Sequence, residues 1–325
     1  MKTESRLRLL LALFTAVVLA AGIAACGDDE ESEDSSGSAS GELIEANSEN
    51  EGVELTIGSK NFTEQIVLGE IYAQALEAAG YDVSTDLNLG SEVIAKKALE
   101  EGEISAYPEY TSTALTSFYG VEAQDVPTDP VEGADQARAE FEKEGLTTFG
   151  PTLFESANAV GLLSSTADEL GVETISDLEG ESEDLVLAGS PECRQRVDCL
   201  VGLEEDYGLS FKEFTPVDIE FRYEVLDKGD ADLSILFTTD AQLGNSDEYT
   251  VLEDDLEVFP PGNVTLVVDQ KVVDEAGPDL QDVVEQVQEP LTDEVIQELD
   301  ARVDLDKEAE ADVAHDYLVE AGFVE

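Results

Sequence analysis

The sequence has no tryptophan, a single histidine and three cysteines, and only 16 lysines and arginines stand against 77 aspartates and glutamates. Each scarcity excludes something. One histidine and three cysteines leave little material for a zinc site or a Ser-His-Asp triad. A formal net charge of -61 repels phosphate backbones and anionic headgroups. Nucleic-acid binding and polybasic attachment to membranes are therefore excluded. No G-x-S-x-G elbow and no G-x-x-x-x-G-K-[ST] phosphate loop occurs, and His315 lies in an acidic C-terminal stretch beside Asp316. These gaps argue against an enzyme and against a bound cofactor or metal. What is present is ordinary for packed cores: 42% of the 325 residues are hydrophobic, enough for about two domains at ~150 residues each.

The first residues read as an address. Lys2, Arg6 and Arg8 precede an uncharged apolar run over 9–21, and small residues end at Ile23-Ala24-Ala25-Cys26. A spanning anchor is the alternative, but the run falls short of the ~20 residues a span needs. The pattern predicts a signal peptide over 1–25. Its ending resembles a bacterial lipobox, which implies a diacylglyceryl group on Cys26. Residues 26–52 are rich in Asp, Glu, Ser and Gly, interrupted only by Leu43 and Ile44, and are expected to form a disordered tether. An exported chain meets external salt, and at ~1 M salt the Debye length falls to about 3 Å. A salt-tolerant source would fit the acidity. A calcium-loaded surface would too, although no EF-hand spacing occurs; a plainly solvated acidic surface needs neither. Cys193 and Cys199 sit close together in an oxidising compartment, so a disulfide is expected, with a metal pair as the weaker alternative.

From Val53 strands and helices alternate. Strand patterns cover 53–58, 81–89, 104–107, 185–189 and 231–237. Helical patterns cover 63–79, with Thr63 as its N-cap, then 92–101, 194–207, 221–228 and most of 278–324. Such alternation predicts an α/β fold with mainly parallel sheets. Extended segments beside Gly150-Pro151 and Pro260-Pro261-Gly262 predict two crossings between lobes. Residues 53–152 and 264–325 would form lobe 1, and 153–263 an inserted lobe 2.

Four segments carry a family resemblance: IGSKNFTEQ at 57–65, LNLGS at 87–91, YPEYT at 107–111 and FTTD at 237–240. Together they resemble the substrate-binding proteins of ABC importers for glycine betaine, choline, carnitine and similar osmoprotectants. The resemblance covers nearly all of 53–325. It implies a two-lobed, type II periplasmic-binding fold, an extracytoplasmic location, permease and ATPase partners, a monomer, and a membrane link through lipid only. Lys60, in the turn between a strand and a helix N-terminus, matches a contact for the ligand carboxylate, with Asn61 beside it; periodicity alone reads it as a solvated turn lysine. Tyr110 and Thr113 match a cage tyrosine and its hydroxyl partner, whereas Tyr107 reads as a core ring. Arg196 matches a carboxylate-binding arginine or is a surface arginine paired with acids. Phe237, Thr238 and Asp240 end a strand and would line the cleft, although Asp240 also suits a helix N-cap. Where betaine-binding members carry cage tyrosines, this chain has Asn158, Gly262 followed by Asn263, and Phe237. The resemblance therefore implies an incomplete cage, with Asn158 and Asn263 facing the ligand, and leaves a more polar solute as the second reading. An adhesive or structural lipoprotein is disfavoured by the double crossing.

Overall fold

In the computed structural model, residues 41–325 apart from Ser246 are described. The expected signal peptide, Cys26 and the first part of the expected tether lie outside the described residues. Lobe 1 is built on a sheet of order β2-β1-β3-β11-β4. Its strands are β1 (Glu54–Gly58), β2 (Asp82–Asp86), β3 (Ala106–Tyr110), β4 (Leu146–Thr148) and β11 (Gly262–Asp269), and β5 (Glu155–Ser156) also pairs with β11. Lobe 2 is built on the order β10-β6-β9-β7-β8. Here the strands are β6 (Asn158–Leu163), β7 (Val186–Gly189), β8 (Glu213–Pro216), β9 (Leu233–Phe237) and β10 (Tyr249–Val251).

The α/β, two-lobed reading stands, but both sheets are mixed. Strands joined by helical crossovers pair in parallel: β1 with β2 and β3, β7 with β8 and β9. The strands at the crossings run antiparallel, β11 against β3, β4 and β5, and β6 against β9 and β10. A strand that returns from the other lobe enters from the opposite end of the sheet.

β11 shows why the pattern of lobe 1 holds. Val264, Leu266 and Val268 face one apolar core while Val267 faces another, so the strand reads as an apolar run buried on both faces. The first core is closed by the helix Thr63–Ala78, whose Val67, Leu68, Ile71, Ala75 and Leu76 are fully buried, and by the C-terminal helices. Each buried Leu or Ile there contributes about 2 kcal/mol of transfer free energy. Thr63 is the first helical residue and not the cap; Phe62 occupies that position, and the Thr63 hydroxyl donates to Asp304 at 2.5 Å.

Two boundaries differ from expectation, the start of the packed chain and the first crossing. Residues 41–52 pack on lobe 1 and are no tether. Ile44 joins the first core, the Gly41 and Ile44 amides donate to Ala321 and Phe323, and Asn50 donates to the Ala79 carbonyl at 2.9 Å. The Gly41 and Ile44 backbone amides and the Asn50 side chain thus satisfy carbonyls at helix ends. The first crossing falls at Ala157, between β5 and β6, because Phe154 is buried in the core of lobe 1. The second falls at Pro260-Pro261, because Val258 and Phe259 belong to the core of lobe 2 and β11 starts at Gly262. The two crossings lie side by side, with Gly262 paired to Ser156. The expected helix over 194–207 is a short 3₁₀ turn, Pro191–Gln195, an irregular loop, and a helix only from Leu200 to Glu205. Cys193 and Cys199 are joined by a disulfide across that loop.

Candidate ligand cleft between the lobes

A cavity of about 220 Å³ opens where the strand ends of both lobes meet. It is smaller than the ~300–1,000 Å³ typical of sites for drug-sized ligands, so it suits a small solute. Lobe 1 contributes the turn after β1 (Lys60, Asn61, Phe62), the segment 90–94 and the end of β3 (Tyr110, Ser112, Thr113). Lobe 2 contributes Asn158, the loop after β7 with Arg196 and Asp198, the segment 217–222, and Phe237 at the end of β9. Carboxyl ends of strands are the usual place for ligands in open α/β sheets.

The turn after β1 is held by backbone bonds. Asn61 N–H donates to Gly90 O at 3.1 Å, and the Ser59 hydroxyl accepts from Asn88 N–H at 2.9 Å. Three aromatic rings meet at the cleft, two from lobe 1 and one from lobe 2. Phe62 stacks on Tyr110 at 6.3 Å and 13°, and tilts onto Phe237 at 5.1 Å. Phe62 was not foreseen as a lining residue.

Every cation in the cleft already has a carboxylate. Lys60, 4% exposed, pairs with the fully buried Glu109 and lies 4.3 Å from the Tyr110 ring centroid. Arg196 donates from Nε to Asp198 at 2.8 Å and lies 3.7 Å from Glu92 and 3.4 Å from the Thr113 hydroxyl. Burial works against its charge, but Asp198 and Glu92 more than offset this and hold its pKa above the ordinary value. Arg222 donates from Nε to Asp240 at 2.9 Å and sits 5.0 Å from the Phe237 ring. Beneath the three rings the Tyr110 hydroxyl donates to Glu64. Burial, then Glu64, pushes the phenol well above its usual range, so Tyr110 stays neutral.

Of the expected ligand residues, Lys60, Asn61, Tyr110, Thr113, Asn158, Arg196 and Phe237 line the cleft. Thr238, Asp240 and Asn263 do not. Thr238 Oγ1 accepts from Ala157 N–H at 3.0 Å outside the cavity. Asp240 turns inward, where Arg222, Tyr223 and the Phe237 amide all donate to it. Asn263 donates to Thr152 O and Phe154 O at 3.1 and 2.9 Å, inside lobe 1. Gly262 packs on Ser112, whose Oγ would lie 2.2 Å from any added Cβ, so no aromatic ring fits there. Glu92, Ser112, Asp198 and Arg222 line the cavity without having been singled out. Asking where each of so few cations finds its carboxylate would have pointed to Arg222.

Glu64 carries a pH signature. It is buried among Tyr110, Thr239, Asp240 and Lys60, and desolvation raises its pKa from 4.5. Asp300, also buried, is raised well above 3.8 by burial and by the charges of Glu64, Asp304 and Asp240, with Arg222 opposing. A raised carboxyl binds its proton more tightly in the folded state. Its contribution is full below the ordinary pKa and is lost as pH rises through the folded value. The stability of wild type relative to Glu64→Gln should therefore fall as pH rises above the ordinary carboxylate range in urea titrations; a flat difference would remove this reading.

Two mixed lobes joined by paired crossings, with a small cleft at both sets of strand ends, define a solute-binding receptor of the type II periplasmic-binding class. The family described as the substrate-binding domain of ABC-type glycine betaine transport systems matches residues 53–320, and the chain belongs to it. The glycine-betaine-binding protein of Pseudomonas aeruginosa is 32% identical over 82% of this chain and 87% of its own. The carnitine transport binding protein OpuCC of Listeria monocytogenes is 23% identical over 83% of this chain and 88% of its own. The crystal structure of a glycine betaine/carnitine/choline ABC transporter protein superposes with a TM-score of 0.63 at 24% identity, covering 82% of this chain and 98% of that one.

Proposed function

We propose that this chain is the extracytoplasmic solute receptor of an ABC importer for glycine betaine or a related quaternary-ammonium osmoprotectant. The observation that carries the reading is the cluster of Phe62, Tyr110 and Phe237. Aromatic faces attract quaternary ammonium groups by ~0.5–2 kcal/mol each. Lys60 and Arg196 keep N–H groups beyond those bound to Glu109 and Asp198, and these would meet the ligand carboxylate. Asn61, Thr113 and Asn158 add polar contacts along the same cleft. The reading includes delivery to a permease driven by an ATPase, action as a monomer, and tethering through a lipid on Cys26 after removal of the signal peptide. Among the described residues no helix is long and apolar enough to cross a membrane. The role is capture without turnover.

A second reading, a more polar solute, is favoured by one observation: the three cleft cations are neutralised by Glu109, Asp198 and Asp240. A thermal-shift panel of osmolytes separates the two. A ligand at ~100 times its Kd adds about 2.7 kcal/mol, a shift of several degrees. Glycine betaine or a congener is expected to give the largest shift. Shifts confined to uncharged solutes would favour the second reading.

A further inference from the structure

The loop closed by Cys193 and Cys199 carries more of the cleft than its length suggests. Both cysteines are buried, 1% and 2% exposed, and both line the cavity as well as the core of lobe 2. Between them regular structure is sparse. The 3₁₀ turn ends at Gln195, Arg196 is extended at φ -95 and ψ 133, and the next helix starts at Leu200. Gly202 lies so close beneath the loop that an added Cβ would sit 2.2 Å from Val197 O.

This irregular loop makes the polar bridge to lobe 1. Arg196 Nη2 is 3.4 Å from Thr113 Oγ1, and Nη1 is 3.7 Å from Glu92. The Thr116 hydroxyl shares its proton between Ser112 O at 2.9 Å and Asp198 Oδ2 at 3.2 Å, and within lobe 2 Asn158 Nδ2 fixes the Asp198 carbonyl at 2.8 Å. Arg196 and Asp198 grip each other as well, so the pair reaches across as a unit. A loop without a hydrogen-bonded ladder would have to freeze on every binding event, and that ordering weakens affinity. A covalent closure removes most of that freedom beforehand.

We infer that the Cys193–Cys199 disulfide is a positioning element of the ligand cleft. It holds Arg196 and Asp198 where they bridge to Thr113, Thr116 and Glu92, so its removal weakens ligand capture through Arg196. The inference rests on the ligand reading above. A staple that only stabilised lobe 2 would be indifferent to the identity of residue 196, which gives the test its discriminating arm.

The experiment is a cycle of four full-length proteins: wild type, the Cys193→Ala/Cys199→Ala pair, Arg196→Ala, and all three changes together. Glycine betaine is titrated by calorimetry at a temperature where near-ultraviolet circular dichroism shows each to be folded. Losing the disulfide should weaken betaine about tenfold in wild type and less than about twofold in the Arg196→Ala background. Equal losses in both backgrounds, or a loss below about twofold in wild type, would overturn the inference. Should the cysteine pair fail to fold, Asp198→Asn with the disulfide intact breaks the same bridge; it should also weaken betaine about tenfold, and unchanged affinity would refute the bridge. A ligand-free arm keeps the two readings apart. Amide exchange over 111–118 should quicken without the disulfide while β6 stays unchanged. If wild type takes no betaine, the ligand reading fails alone, and unchanged exchange over 111–118 would be needed to sink the positioning role.

Discussion

Replacing Arg222 with alanine is expected to destabilise the protein by about 3–5 kcal/mol, the range for a buried ion pair that loses one member. Arg222 and Asp240 are both buried, and Asp240 also accepts from the Tyr223 hydroxyl at 2.8 Å and from the Phe237 amide at 3.0 Å. Without the guanidinium the carboxylate is left in a low-dielectric site with neutral donors only. The loss should appear as a lower urea midpoint with little change in slope. Arg222→Ala/Asp240→Asn should recover much of it, because the carboxylate left without its partner is then neutral. A single variant within about 1 kcal/mol of wild type would show that Asp240 finds solvent, and that its place in the core of the cleft wall is misread.

The second large effect concerns the aromatic cluster. Tyr110→Ala should weaken a quaternary-ammonium ligand by about 10- to 100-fold: cation–π attraction of up to ~2 kcal/mol is lost together with apolar contact. It should weaken an uncharged solute far less. Tyr110→Phe keeps the ring and loses only the bond to Glu64, so it should cost less than about fivefold. Phenylalanine and alanine variants that bind equally well would place the ligand away from this ring.

Much of the cleft lining follows from the family resemblance and little from periodicity alone. Lys60, Tyr110 and Arg196 stand in spaced motifs at strand ends, and strand ends converge in an α/β fold. Which way each side chain turns there is set by tertiary partners. Asp240 follows a strand end as a cleft residue should, yet Arg222 and Tyr223, arriving from another segment, draw it inward. Asn263 was aligned with the cleft, but the crossing lies just before it, and the carbonyls of Thr152 and Phe154 take its amide. Phe62 carries no sequence signal of its own, because only the folded chain brings it to Tyr110 and Phe237. The helix expected over 194–207 had the right apolar spacing. It is broken where the disulfide closes the loop, a constraint that periodicity does not contain. Ile44 likewise stands beside Leu43 in an acidic stretch, and the core of lobe 1, with Phe323 nearly 300 residues later accepting its amide, gives it a place.

The measurement that bears most directly on the role of the cleft compares two ligands of the same shape. Glycine betaine and tert-butylacetate share a carboxylate and a three-methyl head, and differ in the positive charge on that head. Calorimetric titration of both into wild type isolates what the cluster of Phe62, Tyr110 and Phe237 recognises. Betaine is expected to bind at least about tenfold more tightly, since the neutral head forfeits the attraction of each ring. Equal affinities, or tighter binding of tert-butylacetate, would contradict recognition of a quaternary ammonium group in this cleft.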